Sequence, residues 1–421
     1  MSTQGFYNNT TATTPGDDTR HVVEVDKVQI NVFFDGTLNN AFNIKAPDDV
    51  KKAVGGSDTS YANGESNVAR MWQALGLEPD STDPVVYVEG MGTAKYQKDS
   101  FDGYVAGKGD TGIGVRVEAA FELLLNQLKV KRGIQGPPAI LEVNVLGFSR
   151  GAAAARLFAY RVQQESQEHK YFVDKWSRVI LQVNFVGLFD TVSSHGYLSY
   201  SSNVQDLHLQ IDASKVNHVF HVVALDEYRA NFSCTNIQST IQAGKGYEIG
   251  IPGAHSDVGG GYTCDLAPEL ERRDLGEARV ESRGEASQTL RGTKAFVYDM
   301  GWYGPHNAVS TFRHERRIKG DYYKVGLSLM VDAATKYTSA NYPANLTAAS
   351  EVPEIEAVRA QLRAAAQGER IRHWVLDEHL GADAARGFRN RFLHMSFEEG
   401  ALAHGPRFKN DTELERRIVQ A

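Results

Sequence analysis

Leu141–Arg156, LEVNVLGFSRGAAAAR, is the stretch that decides the fold of this chain. Its centre, Gly147–Gly151, reads GFSRG and matches the pattern G-x-S-x-G. The apolar run Ile140–Leu146 in front of it predicts a strand, and the alanines behind it predict a helix. Strand, tight turn and helix form the context of a nucleophile elbow, in which glycines permit close packing around a strained serine. The stretch therefore predicts that the Ser149 hydroxyl stands clear of a sheet edge.

Strand-like segments recur along the chain, and most of them end in a turn rich in glycine or polar residues. Besides the strand before Ser149 they are Val25–Phe34, Pro84–Val88, Val179–Phe189, Val216–Leu225 and Tyr247–Ile251. Apolar residues at helical spacing occur over 67–75, over 114–131 and after Ser149 to about 168. This alternation predicts an α/β fold with a mostly parallel sheet and helices on both faces, as in α/β-hydrolases.

Three regions follow from the changes in composition. We expect a loose segment over 1–24, which is rich in Thr and Asn, and an α/β core over 25–265. Residues 266–421 are expected to form a charged insertion and a helical cap or extension packed on that core. The stretch 264–293, which begins at the boundary of this part, is dense in charge and predicts an exposed insertion, whereas 316–336 and 354–366 show helical apolar spacing.

Composition narrows the classes of protein that fit. The chain has 421 residues, of which 42% are hydrophobic and 23% charged, as is typical of a globular protein. A net charge of −7, without a long basic run, argues against a nucleic-acid partner. Its two cysteines, Cys234 and Cys264, are too few for a disulfide framework and are expected to be reduced. The sequence predicts neither a metal site nor a cofactor.

The N-terminus lacks the basic start and apolar core of a Sec signal peptide. No apolar run approaches the ~20 residues that span a bilayer. We therefore expect synthesis in the cytoplasm and, if the protein is exported, a route that needs no such signal.

A serine hydroxyl needs a base within hydrogen-bond reach, and the base needs an orienting carboxylate. In α/β-hydrolase order an acid and then a histidine follow the serine. Asp190, at the end of a strand, and His255, in the loop after the last core strand, supply that order. Asp257 and Asp226 remain alternatives for the acid.

The other histidines carry weaker signals. His218 and His221 lie within a strand and are expected to pack in a core or on its surface, and no sequence context supports His195, His306, His394 or His404.

Two backbone donors are needed to stabilise an oxyanion. The first is expected to be the N–H of Arg150, the residue after the nucleophile, and the second an N–H of Gly36 or Thr37. A plain turn at Asp35-Gly36 is the alternative for this second position.

Other chemistries fit less well. Asp35-Gly36-Thr37 resembles the end of the D-x-D-G-T pattern of aspartate-nucleophile phosphatases, but Phe33 stands where the nucleophile would be. No P-loop pattern is present, and Gly112-Ile113-Gly114 lacks the preceding strand that a dinucleotide fingerprint requires.

Five segments together resemble the first family of type VI secretion lipase effectors and its broader α/β-hydrolase relatives. They are FFDGT (Phe33–Thr37), GFSRGAAAAR (Gly147–Arg156), LFDTV (Leu188–Val192), HVVALDEYRANF (His221–Phe232) and PGAHSDVGGGY (Pro252–Tyr262). The resemblance covers roughly residues 25–265.

This resemblance implies a phospholipase of the A1/A2 type with Ser149, Asp190 and His255 as its triad. It also implies delivery by a contractile secretion needle, with a needle-tip component, a target-cell phospholipid membrane and a cognate immunity protein as partners. Two alternatives remain: a non-lipid esterase of the same fold, and a catalytically silent α/β module for binding or delivery.

Overall fold

The structure, a computed structural model, describes most of the chain. The described residues are 26–56, 59–76, 84–100, 109–132, 138–164, 179–193, 204–263, 269–274, 296–310, 313–368, 371–397, 407 and 416–421. The predicted loose segment 1–24 and most of the predicted insertion 264–293 lie outside these ranges, and the domain boundary near 265 stays a prediction.

Strands and helices alternate through the first two thirds of the described residues. The strands are β1 (Lys27–Phe34), β2 (Val85–Val88), β3 (Ile140–Phe148), β4 (Ile180–Phe189), β5 (Val216–Ala224), β6 (Cys234–Thr235), β7 (Gly246–Ile251), β8 (Glu269–Asp274), β9 (Arg313–Ile318), β10 (Ile371–His373) and β11 (Ile418–Val419). The α-helices are α1 (Ala41–Ile44), α2 (Asp48–Val54), α3 (Asn67–Gly76), α4 (Ile113–Arg132), α5 (Arg150–Gln163), α6 (Gln238–Gln242), α7 (His255–Gly259), α8 (Tyr323–Tyr337), α9 (Pro353–Ala365), α10 (Leu376–Leu380) and α11 (Ala382–Phe392).

The central sheet has seven strands among the described residues, in the order β10-β7-β5-β4-β3-β1-β2. Every neighbouring pair in it is parallel. The predicted α/β fold with a mostly parallel sheet is therefore confirmed. The six predicted strands are present, whereas the edge strand β10 was missed because it is only three residues long and carries two polar side chains.

Apolar side chains cover both faces of the sheet, because successive residues of a strand point to opposite sides. Phe34 belongs to one core together with Phe121 of α4, Phe158 of α5 and the alanines of α5. Its neighbour Phe33 belongs to the other core, which includes Met330 of α8. The alanines predicted to follow the elbow are fully buried, so α5 lies close against the sheet.

The C-terminal part of the chain completes this second core. Trp374, Phe388, Phe392 and Met395 are buried in the same cluster as Phe33. This segment also supplies β10, so it contributes a strand to the central sheet in addition to side chains in the core.

One expected helical stretch is partly a strand. Helical spacing was predicted over 316–336, but the helix α8 begins at Tyr323, and β9 pairs antiparallel with β8 before it. The buried residues of β9, His314, Arg316 and Ile318, alternate with more exposed ones. Arg316 forms a buried ion pair with Glu271. The charge of Glu271, which lies in the predicted exposed insertion, is therefore paired inside the protein.

The strand register brings the candidate chemistry to one edge of the sheet. Phe148 lies opposite Phe189, and Phe189 lies opposite Val222. Because all these strands run in the same direction, Ser149 and Asp190 follow them at the same carboxyl edge.

Candidate active site

Ser149 occupies a strained turn between β3 and α5. Its φ is 62° and its ψ is −128°, a combination that residues with a side chain rarely adopt. A Cβ on Gly147 would lie 2.4 Å from the Gly151 carbonyl oxygen, and a Cβ on Gly151 would lie 2.3 Å from the Asp35 carbonyl oxygen. Glycine is therefore required on both sides of the serine, as expected for a nucleophile elbow.

Asp190 and His255 are joined by a short hydrogen bond. Nδ1 of His255 lies 2.6 Å from Oδ2 of Asp190, and both side chains are buried. A carboxylate at this distance favours the tautomer with the proton on Nδ1, which leaves a lone pair on Nε2. Nε2 has no hydrogen-bond partner within the described residues.

Two aromatic rings enclose the imidazole of His255. The Phe148 ring lies 4.5 Å from it, centre to centre, and the Phe232 ring meets it edge-on at 5.1 Å. Phe148 directly precedes Ser149, so the imidazole lies against the elbow. Burial lowers the pKa of His255, although its bond to Asp190 acts in the opposite direction. The imidazole is thus favoured in its neutral form, which a general base requires.

Asp190 has partners on both of its oxygens. Oδ1 accepts hydrogen bonds from the Ala224 amide at 3.1 Å and from Arg416 at 2.5 Å, while Oδ2 faces His255. Burial alone would raise the pKa of Asp190, but the Arg416 charge and the His255 hydrogen bond outweigh it and hold this pKa well below its usual range. Asp190 is therefore ionised at neutral pH despite complete burial.

The loop after β1 lies beside the elbow. Arg150 Nε donates to Thr37 Oγ1 at 2.7 Å, so side chains tie the two segments together. The Gly36 amide donates to the Asp35 carboxylate at 2.8 Å and is engaged there. For the Thr37 amide, no such backbone or side-chain acceptor is found within the described residues. Of the two predicted donors in this loop, Thr37 is the one with an uncommitted N–H.

The carboxylates of the two alternative acids form hydrogen bonds with groups other than His255. Asp226 accepts a hydrogen bond from the Gly253 amide at 2.7 Å, which holds the loop before α7. Asp257 accepts from the Ala254 amide at 2.9 Å and lies 2.7 Å from His394 Nδ1. Neither carboxylate has a hydrogen bond to His255 among the described residues, so Asp190 is the acid that the structure brings to this histidine.

Sequence reasoning missed the roles of Arg416, His394 and Glu227 around the site. Glu227 accepts the His255 amide hydrogen bond at 3.2 Å and pairs with Arg229 at 2.8 Å. Burial would raise the pKa of Glu227, but the Arg229 charge lowers it to about 2. His394, for which the sequence offered no context, pairs with Asp257 and stacks on Tyr262 at 3.6 Å.

His221 and His218 pack within the sheet, as the sequence predicted. His221 Nδ1 lies 2.9 Å from Glu248 in the buried interior. His218 stacks on Tyr337.

The described residues hold no cluster of three or more His, Cys, Asp or Glu side chains that could bind a metal ion. Within the same part of the chain, no helix combines the length and the apolar character that crossing a membrane requires.

Comparison with known proteins identifies the family. Residues 29–165 and 159–275 match the sequence profile of the family described as T6SS, phospholipase effector Tle1-like, catalytic domain. These ranges together span more than half of the chain. The chain belongs to this family. The Tle1-like assignment confirms the resemblance to type VI lipase effectors, and it makes the protein a type VI phospholipase effector.

One solved structure supports the Tle1-like fold. The structure of a Tle1 effector bound to the VgrG spike of a type 6 secretion system matches with a TM-score of 0.59. The two sequences are 20% identical, and the match covers 94% of each chain. At this identity the similarity shows a shared fold. An uncharacterized protein from Pseudomonas aeruginosa matches with a TM-score of 0.41 and 20% identity, over 82% of this chain and 51% of that one. Comparison with curated proteins found no match.

Proposed function

We propose that this effector is a serine phospholipase of the A1/A2 type, with Ser149 as nucleophile, His255 as general base and Asp190 as orienting acid. The observation that supports this best is the 2.6 Å contact between His255 and Asp190 beside a strained elbow serine. The same histidine keeps Nε2 without a partner within the described residues, as a base that takes a proton from Ser149 requires.

The reaction follows from these roles. His255 Nε2 takes the proton of Ser149 Oγ as this oxygen attacks the carbonyl carbon of a phospholipid ester. His255 then gives the proton to the departing lysophospholipid alcohol, which leaves an acyl group on Ser149. His255 then takes a proton from water as this water attacks the acyl-enzyme, and it returns the proton to Ser149 Oγ as the fatty acid leaves.

Backbone amides stabilise the oxyanion in this proposal. The donors are the N–H groups of Arg150, at the start of α5, and of Thr37. The positive end of the α5 dipole adds to the first of these donors. The Gly36 amide is the weaker candidate, because it already donates to the Asp35 carboxylate.

The biological setting of the proposal follows from the family. The effector is made in the cytoplasm, binds a needle-tip component and is delivered into the envelope of a target cell, where it attacks membrane phospholipids. A cognate immunity protein protects the producer. Residues 25–265 carry the proposed triad, and the described part of 266–421 adds β10 to the sheet and completes one of its two cores.

The deciding measurement is fatty-acid release from phospholipid vesicles by the wild type and by Ser149→Ala. We expect release by the wild type alone, together with labelling of Ser149 by a fluorophosphonate probe. Equal activity of both proteins would reject the nucleophile. Activity on a short-chain soluble ester without release from vesicles would indicate a non-lipid esterase, and a folded wild type that is inert in all three assays would indicate a silent module.

A further inference from the structure

Residues 416–421 dock beside the site as a segment that contains the short strand β11. β11 pairs in parallel with β6, and the Cys234 amide donates to the Arg417 carbonyl at 2.9 Å. Further along, the Ser239 amide donates to the Ala421 carbonyl at 3.0 Å. These backbone bonds fix the direction of the segment, and with it the position of Arg416.

Arg416 lies two residues before β11 and contacts the site. Its guanidinium lies 2.5 Å from Asp190 Oδ1 and donates a second bond to the Phe232 carbonyl oxygen. Its side chain is only 9% exposed, and that of Asp190 is fully buried. Phe232 also contacts the His255 ring, so the guanidinium joins the orienting acid to the wall of the histidine pocket.

Asp190 depends on such a partner. Its φ of 39° places it in a sparsely populated backbone region, so its orientation must be imposed by its contacts. The Ala224 amide at 3.1 Å is its other Oδ1 partner. A buried carboxylate without a countercharge is costly, and it either gains a proton or turns towards water. Either change would weaken its hold on His255.

We propose that Arg416 is a positioning residue of the active site, and that the docked segment 416–421 holds Asp190 with Oδ2 facing His255 Nδ1. The inference rests on the proposed role of Asp190 as orienting acid. Arg416 acts through Asp190, without touching substrate. The catalytic site is thus incomplete until a segment remote in sequence has docked.

The test uses the full chain and compares Arg416→Ala, Arg416→Lys and Arg417→Ala on a soluble ester and on vesicles. For Arg416→Ala we expect kcat to fall on the order of 10- to 100-fold, as when outer partners of metal-bound histidines are removed, with KM unchanged. Arg416→Lys keeps the positive charge but not the planar guanidinium, so it should retain part of the kcat that Arg416→Ala loses. Arg417→Ala is the matched control, because it removes the neighbouring arginine side chain while the Arg417 carbonyl keeps its hydrogen bond from the Cys234 amide.

Chemical rescue separates positioning from stability. Methylguanidinium added to Arg416→Ala should restore activity. Without it, the acid limb of the kcat/KM profile should lie at higher pH than in the wild type, because the Arg416 charge lowers the pKa of Asp190 and its removal lets Asp190 take up a proton at higher pH.

Three outcomes overturn the proposal. The first is a wild-type rate of fluorophosphonate labelling in Arg416→Ala, which leaves the role of Ser149 intact. The second is a loss of activity that tracks a loss of thermal stability and that neither lysine nor methylguanidinium reverses. The third is a wild type that is neither labelled nor active, which removes the proposed function as well.

Discussion

The main chain of Gly151 lies directly against the carbonyl oxygen of Asp35. A Cβ at Gly151 would meet this oxygen at 2.3 Å and the Phe34 carbonyl oxygen at 2.4 Å. Asp35 directly precedes the loop that holds the candidate oxyanion donor Thr37, whereas Gly151 is in the first turn of α5. The contact therefore sets the distance between the nucleophile's helix and the loop that faces it.

Gly151→Ala should lower both stability and activity. Because the clashing atoms belong to the backbone, the new methyl group can be accommodated only by moving α5 or β1, at a cost of about 1–3 kcal/mol. Gly387→Ala in α11 is the matched control, since an added Cβ there would meet no atom within 4 Å apart from the neighbouring backbone of its own helix. This control should be stabilised by roughly 0.5–1 kcal/mol. Thermal unfolding of both variants checks the prediction, and a destabilisation of equal size in the two would contradict it.

Asp190→Asn should lose about 10⁴-fold in kcat, the loss seen when a triad aspartate becomes an amide that favours the wrong histidine tautomer. Asp257→Asn should lose far less, because Asp257 pairs with His394. Steady-state kinetics on a soluble ester measure both variants, with thermal unfolding to confirm that each is folded. A larger loss for Asp257→Asn would transfer the acid's role to that residue.

The rate should fall at low pH as His255 becomes protonated. Burial lowers the pKa of this imidazole, so kcat/KM should hold through neutral pH and decline only below the usual imidazole range, about 6.5. The Arg229 cation also lowers this pKa. Arg229→Gln should therefore move the acid limb to higher pH, both by removing the cation and by leaving the Glu227 carboxylate unpaired. A limb that stays in place or moves to lower pH would reject this account of the His255 environment.

The parallel sheet and the candidate triad at its edge could be predicted from the sequence for a physical reason. Each buried strand is a continuous apolar run, and a polar residue such as Asp190 can follow it only at the edge. Parallel strands bring these ends together, so strand ends and chain order together predicted Ser149, Asp190 and His255 at one edge, with Asp257 and Asp226 as alternative acids.

The remaining contacts depend on tertiary structure and leave little local trace. Arg416 and Asp190 are 226 residues apart in sequence, and β11 is two residues long. A strand of two residues leaves no periodic pattern in the sequence, so nothing in this charged segment predicts that it pairs with β6. The buried ion pair of Arg316 with Glu271 shows the same limit, since charge predicts exposure until the partner is known.

Asp35→Asn should change how stability depends on pH. Burial raises the pKa of Asp35 to about 6, against the opposing effect of hydrogen bonds from Ser66 and Tyr87. The folded state thus holds this proton more tightly than the unfolded state does. The stability that Asp35 contributes is fully present below its unfolded pKa of about 4 and is lost as pH rises through the folded value, by about 1.4 kcal/mol per unit. Relative to Asp35→Asn, the wild type should therefore lose stability between about pH 4 and 6, and above pH 6 the difference between the two should stay constant.

Urea unfolding of both proteins across this range measures the difference. Because the asparagine cannot ionise, any constant cost of its altered hydrogen bonds shifts the curve without changing its slope, and a difference that is flat with pH would show that Asp35 is ionised throughout.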